Sequence, residues 1–413
     1  MLIKRLIKRI GQKKRVEMHK DFFTENRLRL KGALQGGIAV VAAYDKMQSK
    51  ADMAAPYRQE STFWWLTGIN FPGWILVLDG ESGSEFLVRP ALSRTEKLFE
   101  SWLDDTAATE ISGIATILSR VEYVARLKLQ SAKTFFAPKA FTYADIGAQP
   151  NPATAHIRTE LERFSVKDLE PVVLPLRAIK SSAEINAIQH SIDLTTKAFN
   201  KIYQSLSAQK NEAQISAELS YEFLCRGAKH AYDPIVAAGK NACTLHYTST
   251  NLAPIKNGLV LIDVGAEYNG YAADITRTYA IGSLSHRERA VHQEVAHAHA
   301  DIIAMIAPGV GLTDYLAQVD TRMKLALKNL GLLTNDNSEE AYRRYFPHAI
   351  SHGLGVDVHD SLGGYKEFIP GMVLTVEPGI YVPEWSLGVR IEDDIAVTGD
   401  GQHNLSCALS TDF

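Results

Sequence analysis

The chain has 413 residues, 46% of them hydrophobic, and its 44 basic and 47 acidic residues leave a formal net charge of -3. This length exceeds one ordinary hydrophobic core, so two domains are expected, and the lack of a basic excess argues against a nucleic-acid-binding protein. No apolar run in the sequence approaches the ~20 residues that a transmembrane helix needs, which argues against stable membrane association.

The cysteine pattern bears on the compartment. The three cysteines, Cys225, Cys243 and Cys407, are widely spaced and lack a CxxC pair. A disulfide framework or a zinc knuckle is therefore not expected. A reducing, cytoplasmic environment fits this usage best.

The N-terminal segment differs in composition from the rest of the chain. It reads MLIKRLIKRIGQKKRV, has no acidic side chain, and would line one helical face with apolar residues. That is one pattern of a membrane-surface helix. The segment lacks the long apolar core of a signal peptide and the serines of a transit peptide. We interpret residues 1–20 as a disordered basic extension.

Residues 21–172 show the mixed pattern of an α/β domain. An apolar run after Gly36-Gly37 predicts a buried strand, and a second run from Trp74 to Leu78 turns at Asp79-Gly80 toward a third strand. Between the first two strands lies PYRQESTFWWLTG, whose three consecutive aromatic residues we interpret as core.

Prolines predict the domain boundary. Pro150 and Pro152, and then Pro171 and Pro175, interrupt the periodic pattern. We therefore expect the second domain over residues 173–413.

Helical patterns dominate the start of this second domain. Ser181 and Glu184 form a capping-box pattern ahead of apolar residues spaced for a long amphipathic helix that ends near Leu206. Further helices are expected at 217–226, 287–306 and 312–330. His292 and His297 are five residues apart, about 140° on a helix, so one face cannot present both to a metal ion. We interpret both as surface histidines.

A hairpin is predicted between the helices at 217–226 and 287–306. It covers residues 259–279, LVLIDVGAEYNGYAADITRTY. Asn269-Gly270 separates two apolar runs and is the strongest short signal for a two-residue turn. In the register that this turn sets, Asp263 faces Thr276 and Asp274 lies on the same face of the sheet. Two carboxylates beside a buried strand need a partner, and a metal ion is the candidate. The alternative is a solvated hairpin whose acidic side chains point at water.

The segment 346–397 carries further ionisable residues in glycine-bounded strands. It reads HAISHGLGVDVHD, GMVLTVEPGIY and GVRIEDDIAV in order. The first stretch contains His348, His352 and His359, the second contains Glu377, and the third contains Glu392. These residues stand in apolar surroundings, where single unpaired charges are costly.

Convergence of the acidic residues would require cations. Four carboxylates in one cavity, those of Asp263, Asp274, Glu377 and Glu392, cannot all ionise unless positive charge compensates them. Two divalent ions would do so, and oxygen-rich ligation with one imidazole suits Mn²⁺, Co²⁺, Fe²⁺ or Zn²⁺, with manganese favoured by the carboxylate majority. Ions ~3.5–4 Å apart share a hydroxide that attacks at neutral pH, so the pattern predicts a hydrolase.

Four segments carry a family resemblance: IDVGAEYNGYAADITRTY, SHGLGVDVHD, LTVEPGIY and RIEDD, in this order. They resemble the pita-bread-fold (M24) metallopeptidases, which include methionine aminopeptidase, prolidase and aminopeptidase P. YRQESTFWWLTG resembles the creatinase-type N-terminal domain that aminopeptidase P and prolidase carry. The resemblance implies an α/β (α+β) fold, with an N-terminal domain built on a mixed sheet and a C-terminal pita-bread catalytic domain.

The resemblance also implies a ligand set. Asp263 would be a bidentate ligand of one metal ion. Asp274 and Glu392 would bridge the two ions, and His352 with Glu377 would complete the second site. Gly353 departs from the pattern, because aminopeptidase P sequences tend to have a bulky residue after the ligand histidine.

Further roles come from the same resemblance. Glu377 would also be the general base. His246 and His359 would hydrogen-bond the substrate and support the tetrahedral intermediate, and His348 would lie near the substrate cleft. Arg390 would pair with a ligand carboxylate. The alternative for each histidine is a core residue with satisfied hydrogen bonds.

The implied activity is that of an Xaa-Pro aminopeptidase acting on peptides with proline at the second position, in a homodimer or homotetramer. Proline lacks an amide N–H and fixes its own φ, so general peptidases cleave beside it poorly. A prolidase, restricted to Xaa-Pro dipeptides, would use the same site. A non-enzymatic peptide-binding module is disfavoured because all five ligand positions hold suitable residues.

Overall fold

The computed structural model describes residues 18–129, 133–139, 150–207, 210–333 and 338–413. Most of the predicted basic extension, residues 1–17, lies outside the described residues. The chain divides into two compact units, and the boundary falls between Leu176 and Arg177. Among the described residues, no helix combines the length and apolar character required to cross a membrane.

A six-stranded mixed sheet forms the first unit, with strand order β6-β5-β4-β1-β7-β8. Strands β1 and β4 pair antiparallel, and β4 continues into β5 through the predicted turn at Asp79-Gly80. The strands of this unit are β1 (Ile38–Ala42), β2 (Gln48–Lys50), β3 (Met53–Ala54), β4 (Ile75–Asp79), β5 (Glu85–Val88), β6 (Ile117–Leu118), β7 (Thr134–Ala137) and β8 (Ser165–Asp168). Its helices are α1 (Lys20–Ala33), α2 (Ser61–Thr67), α3 (Arg94–Phe99), α4 (Asp105–Ser112), α5 (Arg120–Leu127) and α6 (Pro152–Glu160).

Two of the three consecutive aromatic residues before Gly68 are core, as predicted, and Trp64 between them is partly exposed. Phe63 and Trp65 are fully buried. Gln59, just before them, accepts hydrogen bonds from the backbone N–H of Tyr44 and donates to the carbonyl of Ile69. The polar residue of this motif therefore fastens the end of β1 to the loop after α2.

The prolines at 171 and 175 interrupt the periodic pattern of the sequence but not the helix in which they lie. Both lie within helix α7 (Glu170–Ala178). Pro171 occupies the first turn, where backbone N–H groups lack an intrahelical partner in any case. Pro175 removes one helix hydrogen bond, while Val173 and Ala178 on either side of it are buried.

The second unit combines short sheets with long helices. Its strands are β9 (Lys229–His230), β10 (Ile235–Ala238), β11 (Gly258–Val264), β12 (Ala266–Tyr268), β13 (Tyr271–Ala272), β14 (Ile275–Ile281), β15 (Val373–Val376), β16 (Gly379–Val382), β17 (Leu387–Arg390), β18 (Asp393–Val397) and β19 (Gln402–Asn404). Its helices are α8 (Ser182–Ser205), α9 (Glu212–Leu224), α10 (His286–Ala304), α11 (Leu312–Asn329) and α12 (Glu339–Tyr345).

The long helices match the predicted ones except in one start point, and the short helix α12 is not predicted by the sequence pattern. Helix α8 begins with the predicted capping box of Ser181 and Glu184. Helix α9 begins at Glu212 instead of residue 217, because Asn211 and Gln214 form a second capping box that the apolar pattern did not reveal.

One histidine of α10 is misassigned by the sequence pattern. His297 is exposed as predicted, but His292 is 3% exposed, so the prediction of a surface residue is wrong there. Its Nε2 lies 3.1 Å from the carbonyl oxygen of Thr278. This contact gives Nε2 a hydrogen-bond partner, and burial lowers the pKa of His292 to about 4.

The predicted hairpin register is confirmed. Asp263 pairs with Thr276 in β11 and β14, and Tyr268 pairs with Tyr271 next to the turn. Asn269 and Gly270 have φ of 49° and 74°, as a type I′ turn requires. All seven residues of β11 are buried, so Asp263 lies within the core of this unit.

Candidate metal centre

Backbone pairing places three candidate residues in one row. Asp263 faces Thr276, and Thr276 forms an antiparallel bridge with Glu392. The Thr276 hydroxyl donates to Glu392 Oε2 at 2.6 Å, and the Glu392 N–H donates to the Thr276 carbonyl at 3.0 Å. The Glu392 side chain, from the segment RIEDD, therefore lies beside the acidic side chains of the hairpin.

A close backbone approach adds Asp274 to this row. A Cβ on Gly265 would overlap the carbonyl of Ala273 and lie 2.6 Å from its carbon. The hydroxyl of Tyr232 lies 2.5 Å from Oδ1 of both Asp263 and Asp274. Tyr232 has one hydroxyl proton, so it can donate to only one of these two carboxylates at a time. The other carboxylate is left without that hydrogen bond.

Thr375 of strand β15 contacts the other two candidate ligands, His352 and Glu377. The Thr375 N–H donates to the His352 carbonyl at 2.9 Å, and the Thr375 hydroxyl accepts from the His352 N–H and donates to Glu377 Oε1, both at 3.1 Å. His352 Nε2 lies 3.4 Å from Asp274 Oδ2 and 3.5 Å from Glu377 Oε1. The imidazole thus faces two carboxylates.

The side chains form overlapping groups that could hold metal ions. The ligand atoms of Asp263, Asp274 and Glu392 all lie within 4.8 Å of one another, and so do those of His352, Glu377 and Glu392. Asp263, Asp274 and Glu392 are nearly inaccessible to solvent. The structure therefore brings the five predicted ligands together, and their individual roles stay a prediction.

The charges of the cluster fit a cation site. Burial and then the neighbouring carboxylate of Asp274 raise the pKa of Glu392 well above its usual range, and burial raises that of Asp263 although Arg390 opposes it. Burial would lower the pKa of His352, but Asp274 raises it to about 9. Acidic groups that attract protons this strongly, with oxygen donors in the majority, are suited to divalent ions.

Arg390 connects the row to a hydrogen-bond chain. Its Nη2 donates to Asp263 Oδ2, and its Nη1 donates to the Tyr381 hydroxyl at 2.8 Å. His348 Nε2 lies 2.9 Å from that hydroxyl, and His348 Nδ1 lies 2.8 Å from the carbonyl of Ala349. A carbonyl only accepts, so Nδ1 carries the proton and Nε2 accepts from Tyr381. Burial and Arg390 lower the pKa of His348 to about 3, so the ring is neutral.

The other two predicted histidines lie at the open side of the centre. His359 is exposed, its ring centroid is 4.3 Å from that of His352, and it shares a third possible ligand group with His352 and Asp274. Although the residue is exposed, partial desolvation of its ring and then the neighbouring His352 lower the pKa of His359. His246 is exposed as well.

Gly353 has a steric explanation in this chain. A Cβ there would lie 2.5 Å from the carbonyl oxygen of Asp360, because residues 353 and 360 pair as an antiparallel bridge. The buried Asp360 carboxylate accepts from Arg177 Nη2 at 2.9 Å and Lys180 Nζ at 3.3 Å. The segment between His352 and His359 is therefore folded tightly on itself.

Sequence reasoning missed several residues of the centre. Tyr232, Thr276, Tyr381 and Asp394 lack a local pattern that points to function. Asp394 is fully buried and accepts from the Asp274 N–H at 3.1 Å. Its one available signal is that two consecutive acidic residues occupy an otherwise apolar strand.

Comparisons with known proteins agree with this geometry. The model of metallopeptidase family M24 matches residues 186–399, and that of the aminopeptidase P N-terminal domain matches residues 23–135. The Xaa-Pro aminopeptidase of Escherichia coli (strain K12) is 33% identical over 425 residues, covering 95% of this chain and 96% of the relative.

Solved structures are similar over the same span. Proline aminopeptidase P II from Yersinia pestis has a TM-score of 0.83 and 31% identity, covering 96% of this chain and 98% of that chain. Zinc-substituted aminopeptidase P of E. coli in complex with product has a TM-score of 0.85 and 30% identity, covering 95% and 96%. These matches confirm the predicted fold class. The chain belongs to metallopeptidase family M24 and, within it, to the Xaa-Pro aminopeptidase group with an aminopeptidase P N-terminal domain.

Proposed function

We propose that this chain is an Xaa-Pro aminopeptidase that hydrolyses the bond between an N-terminal residue and a proline at the second position. Its family makes it a metallo-aminopeptidase, and the similar Xaa-Pro aminopeptidase of E. coli supports the substrate class. The observation that carries the proposal is the cluster of carboxylates and one imidazole in a chain with the aminopeptidase P N-terminal domain.

The proposed centre takes two divalent cations. Asp263 would hold one ion, His352 with Glu377 would hold the other, and Asp274 with Glu392 would bridge them. The oxygen majority of this donor set favours Mn²⁺, with Co²⁺, Fe²⁺ or Zn²⁺ as alternatives. When bound, the ions supply an activated water as nucleophile at neutral pH and polarise the scissile carbonyl.

The chain's own residues would handle the protons and the developing charge. Glu377 would take a proton from the attacking water and return it to the proline nitrogen as that nitrogen leaves. His246 and His359 would donate hydrogen bonds to the substrate as negative charge develops on its carbonyl oxygen. Arg390 would hold the Asp263 carboxylate in place through its direct contact.

Substrate length decides between the leading proposal and its alternative. A prolidase would cleave Gly-Pro and leave longer peptides intact, whereas an Xaa-Pro aminopeptidase would cleave Gly-Pro-Xaa peptides. We expect manganese-loaded protein to cleave a tripeptide and a pentapeptide with proline second, and to lose this turnover when a chelator is added. Cleavage of Gly-Pro alone would favour the prolidase.

The cellular compartment, the oligomeric state and the domain division are also part of the proposal. The free cysteines Cys225, Cys243 and Cys407 support a reducing cytoplasm. The family resemblance supports a homodimer or homotetramer, which sedimentation analysis of the manganese-loaded protein would test. The domain division at residues 172 and 173 likewise stays a proposal, to be tested by limited proteolysis.

A further inference from the structure

Glu212 lies in the first turn of α9, yet it is only 1% exposed. A buried carboxylate is costly unless hydrogen-bond donors surround it. Its Oε1 accepts from the N–H of Ala238 and from Asn241 Nδ2, both at 2.9 Å. Its Oε2 accepts from the Tyr247 hydroxyl at 3.0 Å and from the N–H of Asn251 at 2.8 Å.

All four donors belong to the connection between β10 and β11 or to its first flanking residue. We call residues 239–257 the His246 loop. In the sequence, the two donors to Oε1 precede His246 and the two donors to Oε2 follow it. The Glu212 carboxylate therefore binds the loop on both sides of His246. Two neighbours of Glu212 hold the end of the loop, since Asn211 Nδ2 donates to the Leu252 carbonyl at 3.1 Å and the Ile255 N–H donates to the Lys210 carbonyl at 2.8 Å.

The His246 loop borders the metal centre. Leu245 and Tyr247, on either side of His246, pack against a buried cluster that includes Tyr381. The Tyr381 hydroxyl contacts both His348 and Arg390. The loop therefore lies against the hydrogen-bond chain that supports the candidate ligands.

The beginning of the loop is fixed against β17 as well. Residues Gly239–Cys243 form a 3₁₀ helix. A Cβ on Gly388 would overlap the carbonyl of Ala242 and lie 2.7 Å from its carbon. Both ends of the loop are thus anchored, and Glu212 joins the two halves between them.

We infer that Glu212 is a positioning residue, whose carboxylate fixes the His246 loop and thereby sets where the His246 imidazole meets the peptide substrate. This inference rests on the proposed function. A carboxylate is the required group because all four partners donate to it. A glutamine in either amide orientation would turn an NH₂ group toward the N–H of Ala238 or of Asn251, leaving that N–H without an acceptor.

The test compares Glu212→Gln with Glu222→Gln in the full, manganese-loaded protein. Glu222 is a matched control, because it is a buried acid on the same helix that pairs with Arg226 and makes none of the four contacts. We expect E212Q to keep its metal content while kcat/KM on a Gly-Pro-Xaa peptide falls about 10- to 100-fold, as misplacement of a substrate-binding group would cause. E222Q should leave kcat/KM unchanged.

A double-mutant cycle separates positioning from a merely structural role. If Glu212 acts through His246, the variant carrying both E212Q and His246→Ala loses no more kcat/KM than H246A alone. Losses that multiply would overturn the inference.

Amide hydrogen exchange tests, independently of turnover, whether Glu212 anchors the His246 loop. Amides of residues 239–254 should exchange at least about tenfold faster in E212Q than in E222Q. Equal exchange would overturn the inference. If wild-type protein binds metal but cleaves no peptide with proline second, the proposed function fails and so does the substrate role of Glu212, while faster exchange in E212Q would still identify Glu212 as the anchor of the loop.

Discussion

Gly265→Ala tests whether the close backbone approach sets the spacing of the candidate ligands. Gly265 lies between Asp263 and Asp274 in the folded hairpin, and a Cβ there would be 2.6 Å from the carbonyl carbon of Ala273. The shortest ordinary contact is 3.4 Å, so relieving the contact with this carbon takes a separation of about 0.8 Å, and relieving the overlap with the nearer carbonyl oxygen takes more. Tyr232, whose ring would be 3.1 Å away, closes the other side.

The loss of folding stability in G265A depends on the kind of atom that obstructs the added methyl group. Overpacking a core costs about 1–3 kcal/mol, and a backbone carbonyl cannot rotate aside as a side chain can, so we expect the upper end, about 3 kcal/mol. For a unit of this size the midpoint of thermal unfolding should fall by about 6–12 °C. Separation of the strands should also move the carboxylates apart and weaken metal binding.

Thermal unfolding with a parallel measurement of bound metal is the assay. Gly399→Ala is the matched control, since a Cβ on Gly399 would meet no atom within 4 Å. We expect G399A to match the wild-type midpoint and metal content. If G265A unfolds within 2 °C of G399A and binds as much metal, the close approach does not set the ligand spacing.

Three further predictions concern buried polar side chains. Arg390→Met should destabilise chelator-treated protein by about 3–5 kcal/mol in urea, because it leaves a buried carboxylate unpaired, and Arg390→Lys should cost less. The pKa of His292 is lowered to about 4 in the folded state, whereas the usual histidine pKa is about 6.5. As the pH drops through this range, the unfolded state binds the proton first, so the free energy of unfolding decreases, by about 2 kcal/mol at pH 5. In urea titrations at pH 7 and 5, His292→Asn should remove this loss, and the exposed-site control His297→Asn should retain it. Arg277→Lys should cost about 3 kcal/mol by thermal unfolding, since Arg277 donates to four carbonyls and one carboxylate that a lysine cannot all reach.

Local patterns predicted the parts of the fold that local physics determines. Asn269-Gly270 selects a two-residue turn, and that turn fixes the pairing of Asp263 with Thr276 over the whole hairpin. The capping box of Ser181 and Glu184 marks the start of α8 for the same reason, because both partners lie within four residues of each other.

The rest depends on contacts that no local pattern encodes. Tyr232 reaches two carboxylates that lie 31 and 42 residues further along the chain. His292 is buried because α10 packs against β15, β16 and β17, and the Thr278 carbonyl of β14 accepts its ring N–H. Pro171 and Pro175 fit within a short helix whose packing compensates for a missing hydrogen bond.

The most direct test of the account is the metal content of Asp274→Ala, because the Asp274 carboxylate faces both Tyr232 and His352. Purified wild-type protein and the control Asp233→Asn, an exposed acid near the centre, would be equilibrated with manganese, dialysed and analysed by elemental mass spectrometry. We predict about two ions per chain and turnover of a Gly-Pro-Xaa peptide in both, with ions and turnover lost together in D274A. Retention of the ions and of turnover in D274A would contradict the account.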